Sequence, residues 1–202
     1  MNEHYYSERP TAKSEPRRFR CHVRGVDLEL MSDAGVFSKT GLDFGTRLLI
    51  ETVHLPDEAF VVDLGCGYGV VGAVLARIYP QTRWLLLDIN ERAVELAEQN
   101  TAALGERVQV AQSDGLNALG SLRPEAILLN PPIRAGKSAI YKMFEDASRK
   151  LFPGGALWVV IHKKHGAESA KKFLVSLFPE VEMVDRKSGY HVFRCLTSVP
   201  AQ

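Results

Sequence analysis

The chain has 202 residues, of which 46% are hydrophobic and 24% charged, and its formal net charge is +1. This length favours a single domain, and this composition is typical of a soluble globular protein rather than a disordered, fibrous or membrane chain. No apolar run approaches the roughly 18 to 20 residues that a membrane span needs, and the first residues lack the apolar core of a signal peptide. We therefore expect a cytoplasmic protein without membrane contacts.

The cysteines and the basic residues limit what the chain can bind. Three cysteines stand far apart, without the C-x-x-C spacing of a zinc site, so we expect reduced thiols and no metal. Because the net charge is nearly zero, affinity for nucleic acid has to come from a local basic face. Candidates for such a face are Arg17, Arg18, Arg20, Arg24, Arg134, Lys137, Lys163, Lys164, His165, Lys171 and Lys172.

The first quarter of the chain predicts a small accessory structure. Residues 1–16 are polar and lack periodicity, which indicates a loose arm. Strand-like stretches at 18–24 and 26–31 flank Gly25 and predict a hairpin, and apolar spacing over 43–53 predicts a helix. We therefore divide a single domain, 1–202, into this arm, a hairpin and helix at 17–56, and an α/β core at 57–202.

The core is predicted to alternate between strands and helices. Apolar runs at 60–64, 84–87, 108–111, 126–129 and 156–161 predict buried strands, and helical patterns occur at 70–78, 91–104, 138–151 and 167–178. Continuous apolar strands separated by helices predict a parallel sheet covered on both faces. Two last strands, at 181–184 and 190–195, flank a Lys-Ser-Gly turn signal and predict an antiparallel hairpin at the sheet edge.

A glycine-rich loop follows the first buried strand, where segment 63–69 reads DLGCGYG. The glycines Gly65, Gly67 and Gly69 let the backbone turn sharply near a ligand, and the following helix offers free N–H groups, so a nucleotide-like ligand is implied. Gly67, Gly69 and Gly72 also satisfy the dinucleotide fingerprint, which leaves an NAD(P)-dependent oxidoreductase as an alternative. Asp63 favours S-adenosylmethionine, because a carboxylate attracts the methionine ammonium group and repels a pyrophosphate.

Acidic residues after the next two strands fit the same ligand. Asp88 closes the second strand, where its oxygens can accept hydrogen bonds from both ribose hydroxyls, and Asn90 follows it in the same predicted site. Asp114 follows the third strand and can accept from the adenine amino group. Three acids suit a cationic ligand without phosphate better than they suit NAD.

The fourth strand runs into Asn130, Pro131 and Pro132, the predicted catalytic residues. The two prolines fix the backbone and remove two N–H donors, which leaves the carbonyls and the Asn130 side chain as a rigid array of acceptors for an NH2 group. In an open sheet of order 3-2-1-4-5, strands 1 and 4 flank the topological switch point, so this segment and the glycine loop should meet in one crevice. Accepting both hydrogens of a conjugated amine directs its lone pair at a methyl donor, which is catalysis by positioning and electrostatics.

The motifs together resemble those of a known family. The DxGxGxG loop and the NPP segment are similar to those of amino-group methyltransferases, and GVFS at 35–38 followed by LDxGxxLL at 42–49 narrows the resemblance to the catalytic domain of the bacterial small-subunit rRNA guanine-N2 methyltransferases. The resemblance runs from about residue 20 onward. It implies a Rossmann-like seven-stranded methyltransferase sheet of order 3-2-1-4-5-7-6, with its last strand antiparallel and a small N-terminal β-hairpin extension. It also implies S-adenosylmethionine as cofactor and RNA, as ribosomal RNA or a ribosomal particle, as partner.

The same resemblance implies roles for individual residues. Phe37 and Ser38 help to close over the cofactor, which Asp63, Gly65, Gly67, Asp88 and Asp114 hold, and Asn130 and Pro131 orient the amine. Ile133 stands where the family often has an aromatic residue that stacks on the target base, so either Phe37, Tyr68 or Ile133 itself sandwiches that base or the acceptor is not guanine. The family's second, catalytically silent domain has no counterpart ahead of this one, which makes a homodimer conceivable.

The residues after the NPP segment are predicted to bind the substrate. Ile133 contacts the base, while Arg134 and Lys137 contact a phosphate of a flipped nucleotide. A lysine at a helix start opposes the helix dipole, which favours an anion contact there. Two alternatives stay open: a protein glutamine amide as methyl acceptor, since it offers the same NH2 group, and a protein that binds the cofactor but modifies nothing.

Overall fold

The computed structural model describes residues 13–36 and 41–199. Most of the predicted arm and the two predicted cofactor-closing residues, Phe37 and Ser38, lie outside these ranges. No helix in the described ranges is long and apolar enough to cross a membrane.

The predicted N-terminal hairpin is present. Strands β1 (Arg17–Val23) and β2 (Val26–Ser32) pair antiparallel over their whole length. Arg24 and Gly25 connect them with φ angles of 49° and 76°, which is the left-handed backbone of a two-residue hairpin turn. Only Gly25 enters this conformation without strain, so Arg24 has to be held there by other contacts.

Helix α1 (Phe44–Thr52) packs between the hairpin and the main sheet. It begins at Asp43, whose side chain accepts a hydrogen bond from the Thr46 N–H at 3.1 Å, as N-cap residues do. Its apolar face buries Leu48, Leu49 and Ile50.

The main sheet has seven strands, as the resemblance implied. They lie in the order β5-β4-β3-β6-β7-β9-β8, which is 3-2-1-4-5-7-6 when the core strands are numbered along the chain. β9 runs in the direction opposite to the other six strands of this sheet. The strands are β3 (Phe60–Leu64), β4 (Arg83–Asp88), β5 (Val108–Gln112), β6 (Ala126–Leu129), β7 (Ala156–His162), β8 (Glu180–Lys187) and β9 (Tyr190–Leu196).

Helices cover both faces of the sheet, which explains why its strands are apolar on both sides. They are α2 (Val70–Ile78), α3 (Glu91–Thr101), α4 (Lys137–Lys150) and α5 (Ala167–Leu177). One core, around Ile50 and Trp84, lies on the side of α1, α2, α3 and the hairpin. The other, around Phe144 and Phe193, lies on the side of α4 and α5. The sheet therefore separates two apolar layers and presents its polar residues at the strand ends.

Two elements differ from their predicted bounds. The predicted helix over 91–104 ends at Thr101 and gives way to a 3-10 turn, Ala102–Arg107, inside which Gly105 has φ 63° and ψ −153°. Strand β8 is twice as long as the predicted 181–184, because its polar residues Arg186 and Lys187 still pair with His191 and Tyr190. An exposed edge strand can be polar over much of its length, so the apolar run in its sequence predicts a strand that is too short.

Candidate functional site

A cleft opens at the carboxyl ends of β3, β4 and β6. The connections after the neighbouring strands β3 and β6 leave the sheet toward opposite faces, and such a point is where open α/β sheets bind ligands. The cleft contains about 910 Å³ of space, open solvent at its mouth included, which is the size range of small-molecule sites. Among its lining residues are Asp63, Gly65, Gly67, Asp88, Asn90, Asn130, Pro131 and Pro132, all of them predicted site residues.

The glycines of the loop divide into two kinds. Gly65 and Gly67 have φ angles of 71° and 55°, and a Cβ atom on either would meet no protein atom within 4 Å, so their open side is available to a ligand. A Cβ on Gly69 would lie 2.9 Å from the Cβ of Ala97, and one on Gly72 would lie 2.8 Å from the Leu86 side chain. The last two glycines therefore let α2 pack against α3 and β4, and Gly69 does not line the cleft.

Asp63 is a buried carboxylate at the end of β3. Its side chain is only 4% exposed, and its Oδ2 atom has no hydrogen-bond partner in the described part of the chain. Burial and the neighbouring Asp88 charge raise the pKa of Asp63 to about 7, although a hydrogen bond from the Gly72 N–H opposes the rise. An unsatisfied buried carboxylate oxygen is costly unless a cation reaches it, so this cleft fits a ligand that carries an ammonium group.

Asp88 connects the glycine loop after β3 to the segment after β4 at the mouth of the cleft. Its Oδ2 accepts from the Gly67 N–H at 2.8 Å, and its Oδ1 accepts from the Asn90 N–H at 2.9 Å. Burial raises the pKa of Asp88, while these backbone hydrogen bonds oppose the rise. Each carboxylate oxygen can accept a second hydrogen bond, which leaves capacity for the two hydroxyls of a ribose.

Two asparagines hold the surrounding backbone in place. Asn90 caps α3 by accepting from the Arg92 and Ala93 N–H groups, and it donates to the Gly35 carbonyl at 3.0 Å. Asn100 donates to the Tyr68 carbonyl at 2.7 Å and exchanges hydrogen bonds with the Met31 backbone. Asn100 thereby ties the glycine loop to the end of β2, a role that sequence reasoning missed because an asparagine inside a helix looks like a surface residue.

Asn130 lies across the cleft from the glycine loop. Its Nδ2 donates to the hydroxyl of Thr46 at 2.8 Å, and Thr46, which is 5% exposed, lines the same cleft from α1. Since the Nδ2 group is engaged, Oδ1 is the atom of this amide that remains to accept from a substrate. Sequence reasoning did not find Thr46, because nothing in its local pattern distinguishes it from the buried face of a helix.

Besides Gly69, four predicted site residues in the described ranges lie outside the lining of the cleft. Asp114 is exposed, whereas its neighbours Ser113 and Gly115 line the cleft. Ile133 packs against the core around Phe144. Arg134 and Lys137 are exposed, and the Nζ atom of Lys137 lies 5.1 Å from the Tyr141 ring centroid.

Of the two aromatic residues described near the cleft, Tyr68 was predicted and Phe44 was not. Tyr68 lines the cleft but is only 3% exposed, and its ring packs edge-on against Phe19 with the centroids 5.6 Å apart. Phe44, on the first turn of α1, is 37% exposed and lies 5.6 Å from the Tyr190 ring. In the described ranges, no cluster of three or more His, Cys, Asp or Glu side chains could hold a metal ion.

The sheet order, the open glycines and the buried acid at the switch point together define a class I S-adenosylmethionine-dependent methyltransferase, and its cofactor is S-adenosylmethionine. The chain belongs to the methyltransferase small domain family, whose model matches residues 27–194.

Three known proteins illustrate the relationship. The uncharacterized protein YbxB of Bacillus subtilis (strain 168) is 44% identical over 197 residues, which are 96% of this chain and 98% of YbxB. The ribosomal RNA large subunit methyltransferase G of Pseudomonas putida (strain GB-1) is 38% identical over 88% of this chain, which spans only 48% of that protein. The solved structure of the T. thermophilus 16S rRNA methyltransferase RsmC, in complex with AdoMet and guanosine, has a TM-score of 0.80 at 23% identity and covers 90% of this chain and 50% of that one. This structural likeness supports the fold.

Proposed function

We propose that this protein transfers a methyl group from S-adenosylmethionine to an exocyclic amino nitrogen of an RNA base, namely guanine N2 of ribosomal RNA. The observation that carries the proposal is the position of Asn130. Its amide nitrogen is engaged by Thr46 at 2.8 Å, so its oxygen is left to accept from an amine in the cleft that Asp63 also lines. The relatives named as ribosomal RNA methyltransferases support RNA as the partner.

The chain's own residues then act by binding and orienting. S-adenosylmethionine supplies a methyl group bonded to a positively charged sulfur, which makes that methyl electrophilic. Asp63 binds the ammonium group and Asp88 the ribose hydroxyls. Asn130 Oδ1 and a backbone carbonyl near Pro131 accept the two hydrogens of the amine and point its lone pair toward the methyl group. With S-adenosylmethionine bound there, the methyl group would pass from its sulfur to the amine nitrogen, and the amine would release one proton to water.

The remaining predicted residues keep peripheral roles in this proposal. Phe37 and Ser38 close over the cofactor, and Asp114 reaches the adenine from the rim. Ile133 borders the base, and Arg134 and Lys137 contact a phosphate of the flipped nucleotide.

The test is tritiated methyl transfer to free RNA and to isolated ribosomal particles, followed by nucleoside analysis of the product. We expect labelled N2-methylguanosine, and Asn130→Ala should abolish transfer without weakening the binding of S-adenosylhomocysteine. Label in protein glutamine and none in RNA would refute RNA as the substrate. Tight cofactor binding without transfer to RNA or protein would refute the enzymatic role.

A further inference from the structure

Beyond the cleft, the carboxyl edge of the sheet continues over β7, β9 and β8 and carries a row of aromatic and basic side chains. We call this row the aromatic–basic surface. It consists of Phe44, Tyr190, His162, Lys163, Lys164 and Lys187.

Strand register places part of this row on one face of the sheet. Tyr190 pairs with His162 across the β7–β9 boundary and with Lys187 across the β8–β9 boundary. Directly paired residues of antiparallel strands point to the same face, so these three side chains share a face. It is the face on which α1 lies, because Phe44 of α1 packs against Tyr190. The His162 ring completes the row with its centroid 4.7 Å from that of Tyr190.

The first turn of α1 connects this surface to the methyl-transfer cleft. Asp43 and Thr46 line the cleft, and Phe44, which stands between them in the chain, is exposed beside Tyr190. A nucleotide that leaves the cleft along this side therefore meets the Phe44 and Tyr190 rings first. Phe44 is exposed and Tyr190 is half-buried beside it, next to a site whose expected aromatic is replaced by Ile133.

The cations of the surface are not neutralised. Lys163 and Lys164 are exposed in the turn after β7, and Lys187 is exposed at the end of β8. None of the three forms an ion pair with an acidic side chain within the described ranges. Acids on neighbouring elements have other contacts, since Asp43 caps α1, Asp185 accepts from the Thr52 hydroxyl at 3.2 Å and Glu168 lies 3.8 Å from His191.

The arginines of the β1–β2 hairpin, unlike these lysines, have partners within the described part of the protein. Arg18 and Arg20 share Glu29, and Arg17 lies 3.6 Å from Glu15. Arg24 is turned inward, where its guanidinium donates to the carbonyls that end α1. The hairpin therefore offers a partner far less positive charge than its sequence indicates.

We propose that the aromatic–basic surface binds the single-stranded RNA adjacent to the target nucleotide. A base stacks on the Phe44 and Tyr190 rings, and Lys163, Lys164 and Lys187 hold the phosphates that follow. Stacking on an aromatic face and unpaired lysines in a row are the two features by which proteins follow a single strand. The inference rests on the proposed RNA substrate and adds the part of the protein surface on which that RNA lies.

The charged part of the surface is tested with a pair of double variants. The probe is a fluorescein-labelled oligoribonucleotide of mixed sequence, titrated with the full chain at several salt concentrations. Lys163→Ala/Lys164→Ala should weaken binding about tenfold at low salt and reduce the slope of log K against log salt by about 1.4, because two phosphate contacts are lost. Lys171→Ala/Lys172→Ala removes the same charge from α5, on the opposite face of the sheet, and should leave both values unchanged.

The aromatic part is tested by a matched pair of phenylalanines. Phe44→Ala should weaken oligoribonucleotide binding about tenfold through lost stacking. Phe44→Tyr keeps the aromatic ring and should bind the oligoribonucleotide as tightly as the wild type. Phe152→Ala is the control, because Phe152 is also exposed, at 48%, but precedes β7 at the opposite edge of the sheet. Binding of S-adenosylhomocysteine should stay unchanged in all of these variants.

The outcomes separate this inference from the proposed function. A wild-type protein that binds and methylates RNA, with surface variants no different from their controls, overturns the surface and leaves the function intact. A wild-type protein that neither binds nor methylates RNA overturns both. Loss of methyl transfer to a protein acceptor in the lysine variant, with RNA binding unaffected, also overturns the RNA surface.

Discussion

At the scale of single residues, Asp63 gives the site a dependence on pH. Its pKa is raised to about 7 by burial and by the charge of Asp88. A ligand ammonium group prefers the ionised carboxylate, so affinity should rise with pH through 7. In the ligand-free protein the same raised pKa makes the folded state less stable as the pH rises. This group's contribution to folding stability is present below the unfolded pKa and is lost as the pH rises through about 7.

We therefore expect the affinity for S-adenosylhomocysteine to increase about tenfold between pH 6 and pH 8, in line with the ionised fraction of a group with this pKa. Isothermal titration calorimetry at several pH values measures this change. Asp63→Asn should bind weakly and with a flat profile over the same range. A slope that persists in Asp63→Asn would assign the titration to Asp88 or another group.

Thr46 is expected to act through Asn130 rather than on the substrate. Thr46→Val removes the hydroxyl that receives the Asn130 Nδ2 hydrogen bond and keeps the shape of the side chain. A misoriented amide loses part of its stabilisation of the transition state, so kcat for RNA methylation should fall about tenfold.

Steady-state kinetics and a binding measurement distinguish this role from a structural one. KM for S-adenosylmethionine and the affinity for S-adenosylhomocysteine should not change in Thr46→Val, and Thr46→Ser should recover most of kcat. A variant that loses cofactor binding in proportion to kcat would show that Thr46 supports the fold of the cleft instead.

At the scale of elements, Arg24 fastens the hairpin to the rest of the molecule. Its guanidinium donates to the Ile50 and Val53 carbonyls and to the Tyr79 hydroxyl. Arg24→Asn should destabilise the protein by about 2 kcal/mol, because three part-buried hydrogen bonds disappear while asparagine still tolerates the positive φ. Urea denaturation measures this loss.

The hairpin supplies the control for that substitution. Arg20 is exposed and lies 3.6 Å from Glu29, and exposed ion pairs contribute little. Arg20→Ala should therefore change the free energy of unfolding by less than about 0.5 kcal/mol. Equal effects at the two positions would refute the fastening role of Arg24.

The elements also show how far sequence reasoning reaches. The strands at 60–64 and 126–129 were predicted with their observed bounds, because fully buried parallel strands are continuous apolar runs between loops. The hydrogen bond between Asn130 and Thr46 joins residues 84 positions apart. The row formed by Phe44, Tyr190 and Lys187 depends on strand register and on the placement of α1 over the sheet. Neither leaves a periodic signal, so the position of the NPP segment beside the glycine loop was predictable from the sequence, while the residues that support and surround it were not.

At the scale of the whole molecule, the cleft lies at the carboxyl edge of the main sheet, between the two apolar layers that cover its faces. Asp63 lies near the end of β3, Gly65 follows β3 and Asn130 follows β6, so a ligand in the cleft would bridge neighbouring strands whose connecting helices cover opposite faces. The outer strand β8 has a register irregularity between Met183 and Asp185 and many charged residues, features that discourage pairing with another edge. A homodimer stays a prediction, and this edge is a poor candidate for its interface.

Because the ligand contacts the central strands, its binding should stabilise the whole molecule. At a concentration of 100 times Kd, S-adenosylhomocysteine adds about 2.7 kcal/mol to the free energy of unfolding. For a chain of this length that corresponds to a rise in Tm of about 5 to 10 °C, measurable by differential scanning fluorimetry.

NAD is the informative control ligand for that experiment, because Gly67, Gly69 and Gly72 match the dinucleotide fingerprint. A Cβ on Gly69 or Gly72 would meet Ala97 or Leu86, so two of the three glycines of that fingerprint serve helix packing and do not indicate a pyrophosphate. The buried Asp63 carboxylate, which is ionised above pH 7, would in addition repel a pyrophosphate in the cleft. We therefore expect no shift in Tm with NAD at pH 8, and a shift with NAD but none with S-adenosylhomocysteine would refute the assignment of the cleft.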